Sequence, residues 1–392
     1  MDNVRKIIHL DLDAFFCAVE EQRNPALCQQ PFAVGGQPEE RGVVASCSYP
    51  ARQRGVHSAM PMIQAVKLCP GLLIVPPNHK AYGSVSKRVM GRLHALTPLV
   101  EQLSIDEAFL DVTQLPAAAE ASARQLQQSI RQELDLPCSL GVATNKLVAK
   151  IANNVGKAAA RTGTYPQAIT VVPPGREAEF LAPLPCDELW GVGPKTAERL
   201  QSLGIHTIGD IARWPAEELI SRFGKHGSDL AHHAQGVDPR PVVAYRESKS
   251  ISQETTFTRD VREGERLRQT LQEQSSSVSK ELRRKRLTAT TVKLKLRWHD
   301  FTTLTRQSTF PQPLDDGEQI YNAALRLFDQ EWNGQLVRLI GVGVSGLGNS
   351  ARQLSLWDTP NEKEEQLWQA IQSLRKRFGP QVVQFGADLN QE

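Results

Sequence analysis

Apolar and polar positions follow two different spacings along the first 165 residues, and segments of each kind alternate. The runs of strand length are 6–12, 41–47, 99–113 and 137–145, of which 99–113 reads as two strands joined by a tight acidic turn. The segments with helical spacing are 14–23, 118–134 and 146–157. This alternation predicts a sheet that is covered by helices.

The pattern changes in the second half of the chain. Residues 181–236 have helical spacing with Gly-Val-Gly punctuation, and residues 236–250 carry two prolines and no clear period, which is typical of a linker. The elements predicted beyond the linker are a strand near 250–257, a helix at 261–286, strands at 290–299 and 302–310, a helix at 316–331 and a strand at 336–345. The chain is therefore predicted to be an α/β protein with several domains.

Length and composition limit the class of protein. A chain of 392 residues exceeds one ordinary core and predicts two to four domains. The six cysteines form no CxxC pair, which argues against a zinc site or a disulfide framework and favours the reducing cytoplasm. Asp11 and Asp13 interrupt the apolar N-terminal run, so we expect no signal peptide. No run of 18 apolar residues exists, so we expect no membrane span.

Three acidic residues stand where predicted strands end. Asp11 ends the first strand, and Asp106 and Glu107 lie at the turn of the predicted hairpin. Two strand ends of one sheet can meet in space, and three carboxylates brought together repel each other unless a cation lies between them. Oxygen ligands favour Mg²⁺ over zinc, and paired ions serve displacement at phosphorus. The alternative is that these are ordinary strand-end acids.

Three residues could hold a polyphosphate beside those acids. Tyr49 and Arg52 lie one helical turn apart at a strand-to-helix junction, and Arg is favoured for bidentate phosphate contact. Lys157 ends the helical segment 146–157 and could add a third contact. Each alone is more typical of an ordinary surface residue, and only the combination points to phosphate chemistry.

Four segments of the chain resemble, in this order, the catalytic motifs of Y-family translesion DNA polymerases, in the branch of bacterial DNA polymerase IV (DinB). They are IIHLDLDAFFCAVE, VVASCSYPARQRGV, LSIDEAFLDVT and LGVATNKLVAKIAN, and the resemblance covers roughly residues 5–357. It implies a right-hand polymerase fold with an α/β little-finger domain. The implied domains are palm 1–18 and 75–168, fingers 19–74, helical thumb 169–238, linker 239–247, little finger 248–347 and a tail 348–392.

The resemblance also implies roles for single residues. The implied ligands of two Mg²⁺ ions are Asp11, Asp106, Glu107 and the backbone carbonyl of Leu12. The implied dNTP contacts are Tyr49, Arg52, Lys157 and Phe15, although the ring of Phe15 is expected to pack inside. Phe16 matches the steric gate that excludes a ribose hydroxyl. Asp13 is left open between a ligand and a structural residue.

One stretch departs from the family pattern. The family usually follows the lysine that matches Lys157 with proline and a short polar turn, whereas this chain reads GKAAARTGTY, which is longer and lacks proline. The placement of Lys157 is therefore open, and Arg161 is an alternative contact for the triphosphate.

Two segments are predicted to bind DNA. Residues 189–205 resemble a helix-hairpin-helix, in which Gly191, Gly193 and the following helix start, with Lys195, could approach a phosphate; the alternative is a plain glycine turn. In 291–298, apolar residues alternate with cations, so one face of a strand carries only positive charge. The cations concerned are Lys293, Lys295 and Arg297, preceded in RRKR by Arg284. The alternative is a solvated strand face.

The local charge supports the second segment. From Arg246 to Phe310 there are fifteen Lys or Arg against eight Asp or Glu, an excess of seven, while the whole chain carries a net charge of only +3. A salt-sensitive hold on duplex phosphates would follow from this concentration of positive charge.

A short peptide follows the last predicted strand. QLSLW at 353–357 resembles the peptide by which bacterial polymerases bind the sliding clamp, and its residues are Gln353, Leu354, Leu356 and Trp357. Residues 364–379 have helical spacing and could fold back over the peptide.

The combined expectation is template-directed, error-prone DNA synthesis past lesions. The predicted partners are primer-template DNA, dNTPs and the sliding clamp, and the enzyme is expected to act as a monomer. Two alternatives stay open. One is a non-catalytic, clamp-tethered DNA-binding homologue; the other is a structure-specific nuclease, since helix-hairpin-helix domains and paired acids occur there too.

Overall fold

The computed structural model describes residues 4–160 and 163–349, and these form two compact units. Among the described residues, the first unit contains the chain from Val4 to Ser248 together with Thr256–Arg262 and Leu336–Leu339. The second contains Lys249–Thr255, Glu263–Gln335 and Ile340–Asn349. In the part of the chain that the structure describes, no helix is both long and apolar enough to cross a membrane.

Strands and helices alternate through residues 7–171, as the sequence pattern predicts. In chain order they are β1 (Ile7–Leu12), α1 (Phe15–Arg23), β2 (Phe32–Gly35), β3 (Val44–Cys47), α2 (Tyr49–Arg52), α3 (Met62–Leu68), β4 (Leu73–Val75), α4 (His79–Leu96), β5 (Val100–Gln102), β6 (Glu107–Asp111), α5 (Ala119–Leu134), β7 (Cys138–Ala143), α6 (Lys146–Ala159) and β8 (Ile169–Val171). The sequence pattern did not predict β2, β4, α4 or β8.

The main sheet of the first unit has the strand order β5-β6-β1-β7-β8. The central strand β1 pairs antiparallel with both β6 and β7. It is buried on both faces, because Ile8, Leu10 and Leu12 pack with α1, α4 and α5 while Ile7 packs on the other side with α6. This explains why β1 reads as one apolar run rather than as an alternation. A smaller sheet has the order β3-β2-β4.

Helix α6 lies unusually close to the main sheet. A Cβ atom built on Gly141 of β7 would stand 1.9 Å from the carbonyl oxygen of Ala149, and one on Gly156 would stand 2.2 Å from the hydroxyl of Thr170. Real side chains never come so near, so only glycine fits at position 141 with α6 where it is. The close approach brings the polar face of α6 down onto the strand ends.

The remaining elements follow in two groups. Helices of the first unit are α7 (Glu177–Leu181), α8 (Pro194–Gln201), α9 (Ile208–Arg213), α10 (Ala216–Phe223) and α11 (Lys225–Ala234). The later elements are β9 (Ser250–Val261), α12 (Gly264–Lys285), β10 (Leu287–Trp298), β11 (Thr303–Leu314), α13 (Gly317–Glu331) and β12 (Val337–Asn349). Their strands form a sheet of order β11-β10-β12-β9, against which α12 and α13 pack.

Candidate active site

The three predicted acidic residues converge at one end of the main sheet. Asp11 in β1 lies directly opposite Glu107 in the register of β1 and β6. The backbone N–H of Leu12 donates to the carbonyl oxygen of Asp106 at 3.0 Å, which fixes the hairpin turn against the strand end. Asp11 and Glu107, which are 96 positions apart in the sequence, therefore meet through ordinary antiparallel pairing.

Lysine side chains of α6 neutralise two of these acids. Lys157 Nζ lies 2.5 Å from Asp11 Oδ1 and 3.4 Å from Asp13 Oδ1, and Lys150 Nζ is hydrogen-bonded to Glu107 Oε1. Within residues 4–160 and 163–349, no three His, Cys, Asp or Glu side chains are arranged as a group that could hold a metal ion. The lysine ammonium groups supply positive charge at the acids, where the sequence led us to expect a metal ion.

The donor set nevertheless fits an oxygen-preferring divalent cation. Burial raises the pKa of Asp106, and the nearby carboxylates of Asp11 and Glu107 raise it further, so a cation beside Asp106 would stabilise its ionised form. The hydroxyl of Ser104 donates to Asp106 Oδ1 at 2.5 Å and holds that side chain in place. Carboxylate oxygens gathered in this way are ligands that Mg²⁺ prefers.

Glu107 is held by two side chains that the sequence reasoning missed. His9 is fully buried, and burial lowers its pKa, so the neutral ring can donate from Nε2 to Glu107 Oε1 at 2.5 Å. Asn153 Nδ2 lies 2.9 Å from His9 Nδ1 and fixes this tautomer. Burial alone would raise the pKa of Glu107, but the bonds from His9 and Lys150 outweigh it and hold the pKa at about 2. Glu107 is therefore a rigidly placed, ionised carboxylate.

Two of the predicted phosphate contacts lie together on one short helix, and the pKa of Tyr49 is raised by burial and further by the charges of Asp13 and Asp11. Tyr49 and Arg52 form the first and last residues of the short helix α2, which begins directly after β3. The guanidinium carbon of Arg52 stands 4.9 Å from the centre of the Tyr49 ring, and Arg52 Nε donates to the carbonyl of Cys47 at 3.1 Å. Arg52 stays exposed, so its remaining donors face solvent and can reach an anion. Lys157 lies at the same acids, whereas Arg161 is outside the described residues.

The two phenylalanines of α1 have different environments. Phe15 is only 2% exposed and packs in the core near Phe16 and Tyr82. Its ring is therefore buried, as the sequence analysis expected, and a contact between Phe15 and the dNTP stays a prediction that only its backbone could fulfil. Phe16 is partly buried and stacks on the Tyr82 ring with centroids 4.1 Å apart, which fixes the orientation of the predicted gate.

Asp13 is enclosed by protein groups and does not face solvent. It is fully buried and accepts hydrogen bonds from the hydroxyl of Ser139 and from the backbone N–H of Gln167 at 3.0 Å. Burial raises the pKa of Asp13, and Lys157 opposes that rise. The residue ties the loop after α6 to the strand end, which resolves the question left open by the sequence.

The predicted helix-hairpin-helix residues are exposed. Gly191 has φ 105°, a conformation that side chains rarely adopt, and Gly193 is the N-cap of α8. Gly191, Gly193 and Lys195 all face solvent, so the turn and the start of α8 are accessible to a phosphate.

The cationic strand of the second unit is β10. Val292, Leu294 and Leu296 are buried, while Lys293, Lys295 and Arg297 lie on the opposite face, as the alternation predicts. This face is less purely positive than expected, because Lys295 Nζ is 2.8 Å from Glu254 Oε2. Gly341 of β12 makes this possible, since a Cβ there would stand 2.7 Å from the Glu254 side chain.

The other predicted contacts also differ in their surroundings. Arg284 is exposed and forms two hydrogen bonds with Glu281, at 2.8 Å and 2.6 Å. Arg297 Nε donates to Thr303 Oγ1 at 2.8 Å. The predicted clamp peptide, with Gln353, Leu354, Leu356 and Trp357, lies outside the described residues.

Three stretches of the chain match family models. Residues 10–154 match the impB/mucB/samB family, residues 174–205 match the IMS family HHH motif, and residues 248–356 match the impB/mucB/samB family C-terminal domain. Together they include the acidic end of the main sheet, the glycine turn before α8 and the cationic strand β10.

Relatives and solved structures agree with these matches. The chain is 39% identical over 389 residues to DNA polymerase IV of Dehalococcoides mccartyi, covering 98% of this chain and 97% of the relative. It is 42% identical over 351 residues to DNA polymerase IV of Listeria monocytogenes, covering 88% and 96%.

Among solved structures, a Y-family DNA polymerase chimera, Dbh-Dpo4(243-245)-Dbh, matches with a TM-score of 0.77 and 27% identity over 88% of this chain and 99% of that one. An insertion ternary complex of Dbh DNA polymerase matches with a TM-score of 0.63 and 27% identity over 87% and 98%. The sheet-end carboxylates, the family models and the relatives lead to one conclusion: this chain belongs to the Y family of DNA polymerases and is a DNA-directed DNA polymerase of the translesion class.

Proposed function

We propose that nucleotidyl transfer takes place at Asp11, Asp106 and Glu107. The 3′ hydroxyl of a primer gives up its proton to solvent and attacks the α-phosphate of a dNTP. A new P–O bond forms, the bond between the α-phosphorus and the bridging oxygen breaks, and pyrophosphate leaves with that electron pair. The observation that carries this proposal is the meeting of the three acidic residues at one sheet end. Catalysis would come mainly from positioning and from charge neutralisation.

Each protein group has a stated part in this step. Asp11, Asp106, Glu107 and the carbonyl of Leu12 would hold two Mg²⁺ ions, which, when bound, supply Lewis-acid activation and charge neutralisation. Tyr49, Arg52 and Lys157 would hold the triphosphate. Lys157 pairs with Asp11 in this structure, so we expect it to exchange that carboxylate for phosphate oxygens when the nucleotide arrives.

The remaining assignments concern the chain beyond this site. The palm would be 1–18 and 75–168, the fingers 19–74, the thumb 169–238 and the little finger 248–347, joined by a linker at 239–247. The turn before α8 and the cationic face of β10 would hold the DNA backbone. We assign no part of the chain to a proofreading exonuclease, so synthesis is proposed to be error-prone and poorly processive unless the sliding clamp is bound.

Clamp binding is proposed to depend on the peptide at 353–357. Leu354, Leu356 and Trp357 would supply an apolar plug and Gln353 a polar anchor. The enzyme is further proposed to act as a monomer in the cytoplasm. A truncation after residue 352 should lose clamp-stimulated extension while retaining extension without clamp.

Primer extension tests the proposed chemistry. Wild type with Mg²⁺ and dNTPs should extend a primer, and Asp106→Ala should lose at least about 10³-fold in rate because a central charged ligand is removed. DNA affinity and the melting temperature serve as controls for folding. Extension by Asp106→Ala at the wild-type rate would overturn the proposal, and cleavage of labelled DNA with Mg²⁺ but no dNTP would favour the nuclease.

The gate role of Phe16 has its own test. Phe16→Ala should admit ribonucleotides, because the ring that would abut C2′ of the sugar is removed. The ratio of kcat/KM for dNTP and rNTP measures this, and Phe15→Leu, a change within the core, is the control that should keep the wild-type ratio. Unchanged sugar discrimination in Phe16→Ala would remove the gate role.

A further inference from the structure

The loop that departs from the family pattern lies against the helix that carries Tyr49. The Tyr165 ring stands with its centre 5.2 Å from the centre of the Tyr49 ring, at an interplanar angle of 69°. This edge-to-face geometry is the one that aromatic pairs favour. A Cβ built on Gly163 would stand 2.7 Å from the side-chain nitrogen of Gln53, so the loop also passes close to the residue that follows α2.

Tyr165 is itself fixed at its hydroxyl. The phenol donates to Glu21 Oε2 of α1 at 2.8 Å. Both groups are partly buried, and burial raises the pKa of Glu21 and of Tyr165. The phenol therefore stays protonated at neutral pH and remains a donor, so the bond anchors the ring to α1.

The backbone beyond Tyr165 is anchored from the other side. The N–H of Gln167 donates to Asp13 Oδ2 at 3.0 Å, and the N–H of Ala168 donates to Ser139 Oγ at 3.1 Å. Gln127 Nε2 donates to the carbonyl of Gln167 at 3.0 Å. The loop is thus bound to the end of the main sheet while its aromatic ring reaches across to α1 and α2.

These contacts leave Tyr49 between two neighbours. Arg52 lies 4.9 Å from the centre of its ring and Tyr165 lies 5.2 Å from it. Tyr49 is partly buried, and its own helix has only four residues, which is too short to hold a side chain orientation by itself. The loop therefore supplies the packing that the short helix lacks.

We propose that Tyr165 is a positioning residue for nucleotide binding, which fixes the ring of Tyr49 and is in turn fixed by Glu21. Tyr165 acts through Tyr49 and does not touch the nucleotide. The inference rests on the proposed role of Tyr49 in holding the triphosphate. It also gives a function to Tyr165, the last residue of the GKAAARTGTY stretch.

The experiment measures dNTP affinity without turnover. A primer ended by a dideoxynucleotide is bound to the enzyme with template and Mg²⁺, and the next correct dNTP is titrated in. Tyr165→Ala should raise the dNTP Kd about 3- to 10-fold, the range expected for loss of an aromatic pair. Tyr165→Phe and Glu21→Gln should raise it less, because the ring remains. In turnover assays KM should rise while kcat changes less than about 2-fold.

Controls separate positioning from a loss of structure. DNA Kd and melting temperature should stay at wild-type values in Tyr165→Phe and Glu21→Gln, so these two variants carry the test if Tyr165→Ala unfolds. The double variant Tyr49→Ala/Tyr165→Ala should bind dNTP no more weakly than Tyr49→Ala alone. Additive losses would mean that Tyr165 acts independently of Tyr49, and they would overturn the inference.

Failure of the inference and failure of the proposed function give different results. If Tyr49→Ala raises the dNTP Kd and none of the Tyr165 or Glu21 variants does, the inference is wrong and the role of Tyr49 stands. If Tyr49→Ala leaves the dNTP Kd unchanged, the role of Tyr49 is wrong and the inference falls with it.

Discussion

Helix α6 carries two kinds of lysine–carboxylate pair, and they differ in how far they are from water. Lys146 pairs with Glu101 at 2.8 Å, and the two side chains are 5% and 7% exposed. Lys157 pairs with Asp11, and these side chains are 22% and 27% exposed. Lys150 and Glu107 are 21% and 17% exposed. The three lysines share one face of the helix, since their spacings of four and seven residues are whole numbers of turns.

The difference in burial corresponds to a difference in what each pair must do. Lys146 and Glu101 are not among the residues proposed to contact nucleotide or metal. Glu101 also accepts a hydrogen bond from the backbone N–H of Val243 at 2.9 Å, so the pair fixes the segment after α11. The other two pairs lie where nucleotide and metal are proposed to bind, and they must open. An ion pair near water can exchange partners at little cost in free energy, whereas breaking an ion pair in the interior costs much more.

Removal of one partner of the buried pair should have the largest effect. Lys146→Met leaves the Glu101 carboxylate without its counter-charge, and we expect the free energy of unfolding to fall by about 3–5 kcal/mol. Urea denaturation followed by circular dichroism measures this. The double variant Lys146→Met/Glu101→Gln is the matched control, because it keeps an acceptor for Val243 and leaves neither buried charge unpaired, so it should lose less stability than Lys146→Met. A loss below about 1 kcal/mol in Lys146→Met would remove the distinction between the pairs.

Lys157→Ala should show the opposite behaviour. We expect a smaller loss of stability than in Lys146→Met, about 1–2 kcal/mol, because the pair with Asp11 is partly exposed and the buried Asp13 keeps its hydrogen bonds from Ser139 and Gln167. The KM for dNTP should rise about 10- to 100-fold, since a charge-assisted contact with phosphate is lost. Lys157→Arg keeps the charge and should retain most of the affinity. Steady-state extension of a primed template gives KM, and a wild-type KM in Lys157→Ala would contradict the exchange of partners.

Lys150→Gln should act on kcat rather than on KM. It removes the ammonium that, with His9, holds Glu107, and supporting groups of this kind are worth about 10- to 100-fold in activity or metal affinity. We expect kcat to fall about 10-fold, with a rise in the Mg²⁺ concentration needed for half-maximal rate. Lys150→Arg is the charge-retaining comparison. An unchanged Mg²⁺ dependence together with normal kcat would show that Lys150 only fills space.

The exposed pair of the second unit should give the smallest change. Lys295 and Glu254 are 32% and 38% exposed, so Glu254→Gln should alter stability by less than about 0.5 kcal/mol. It frees Lys295 for DNA, so non-specific DNA affinity should rise, and the slope of log K against log salt should steepen by about 0.9. Glu254→Gln/Lys295→Gln should return the slope to the wild-type value or below. Fluorescence anisotropy over a range of salt concentrations measures it.

The sequence predicted those features that depend on local pattern. The hairpin with Asp106 and Glu107 follows from two apolar runs around an acidic turn, and the face of β10 follows from strict alternation. Strands β2 and β4 were missed: they contain four and three residues, too few to show a period, and the equally short β3 and β5 were found only because the longer apolar runs 41–47 and 99–113 contain them. Short strands of this kind are defined by their neighbours in the sheet.

The partners of the acids were harder to find. His9 lies inside an apolar run, and Lys150 lies in a helix where a lysine usually marks the solvent side. One signal was present: Lys146, Lys150, Asn153 and Lys157 recur at spacings of four, three and four, which places a polar stripe on one face of an otherwise apolar helix. Only the sheet beneath shows that this stripe faces inward. Phe15 and Phe16 are adjacent in sequence, and only packing decides which ring is buried.

The close approach of α6 to the sheet limits which residues position 141 can accept. The distance between α6 and the sheet determines how closely the lysine ammonium groups approach the acids. That distance is possible because Gly141 has a hydrogen atom where every other residue has a Cβ atom. Alanine at position 141 would push α6 away from the sheet, and all three lysines would move away from the acids at the same time. The activity is therefore expected to depend on a glycine at position 141, a residue that lies between α6 and the sheet and is not among the proposed nucleotide or DNA contacts.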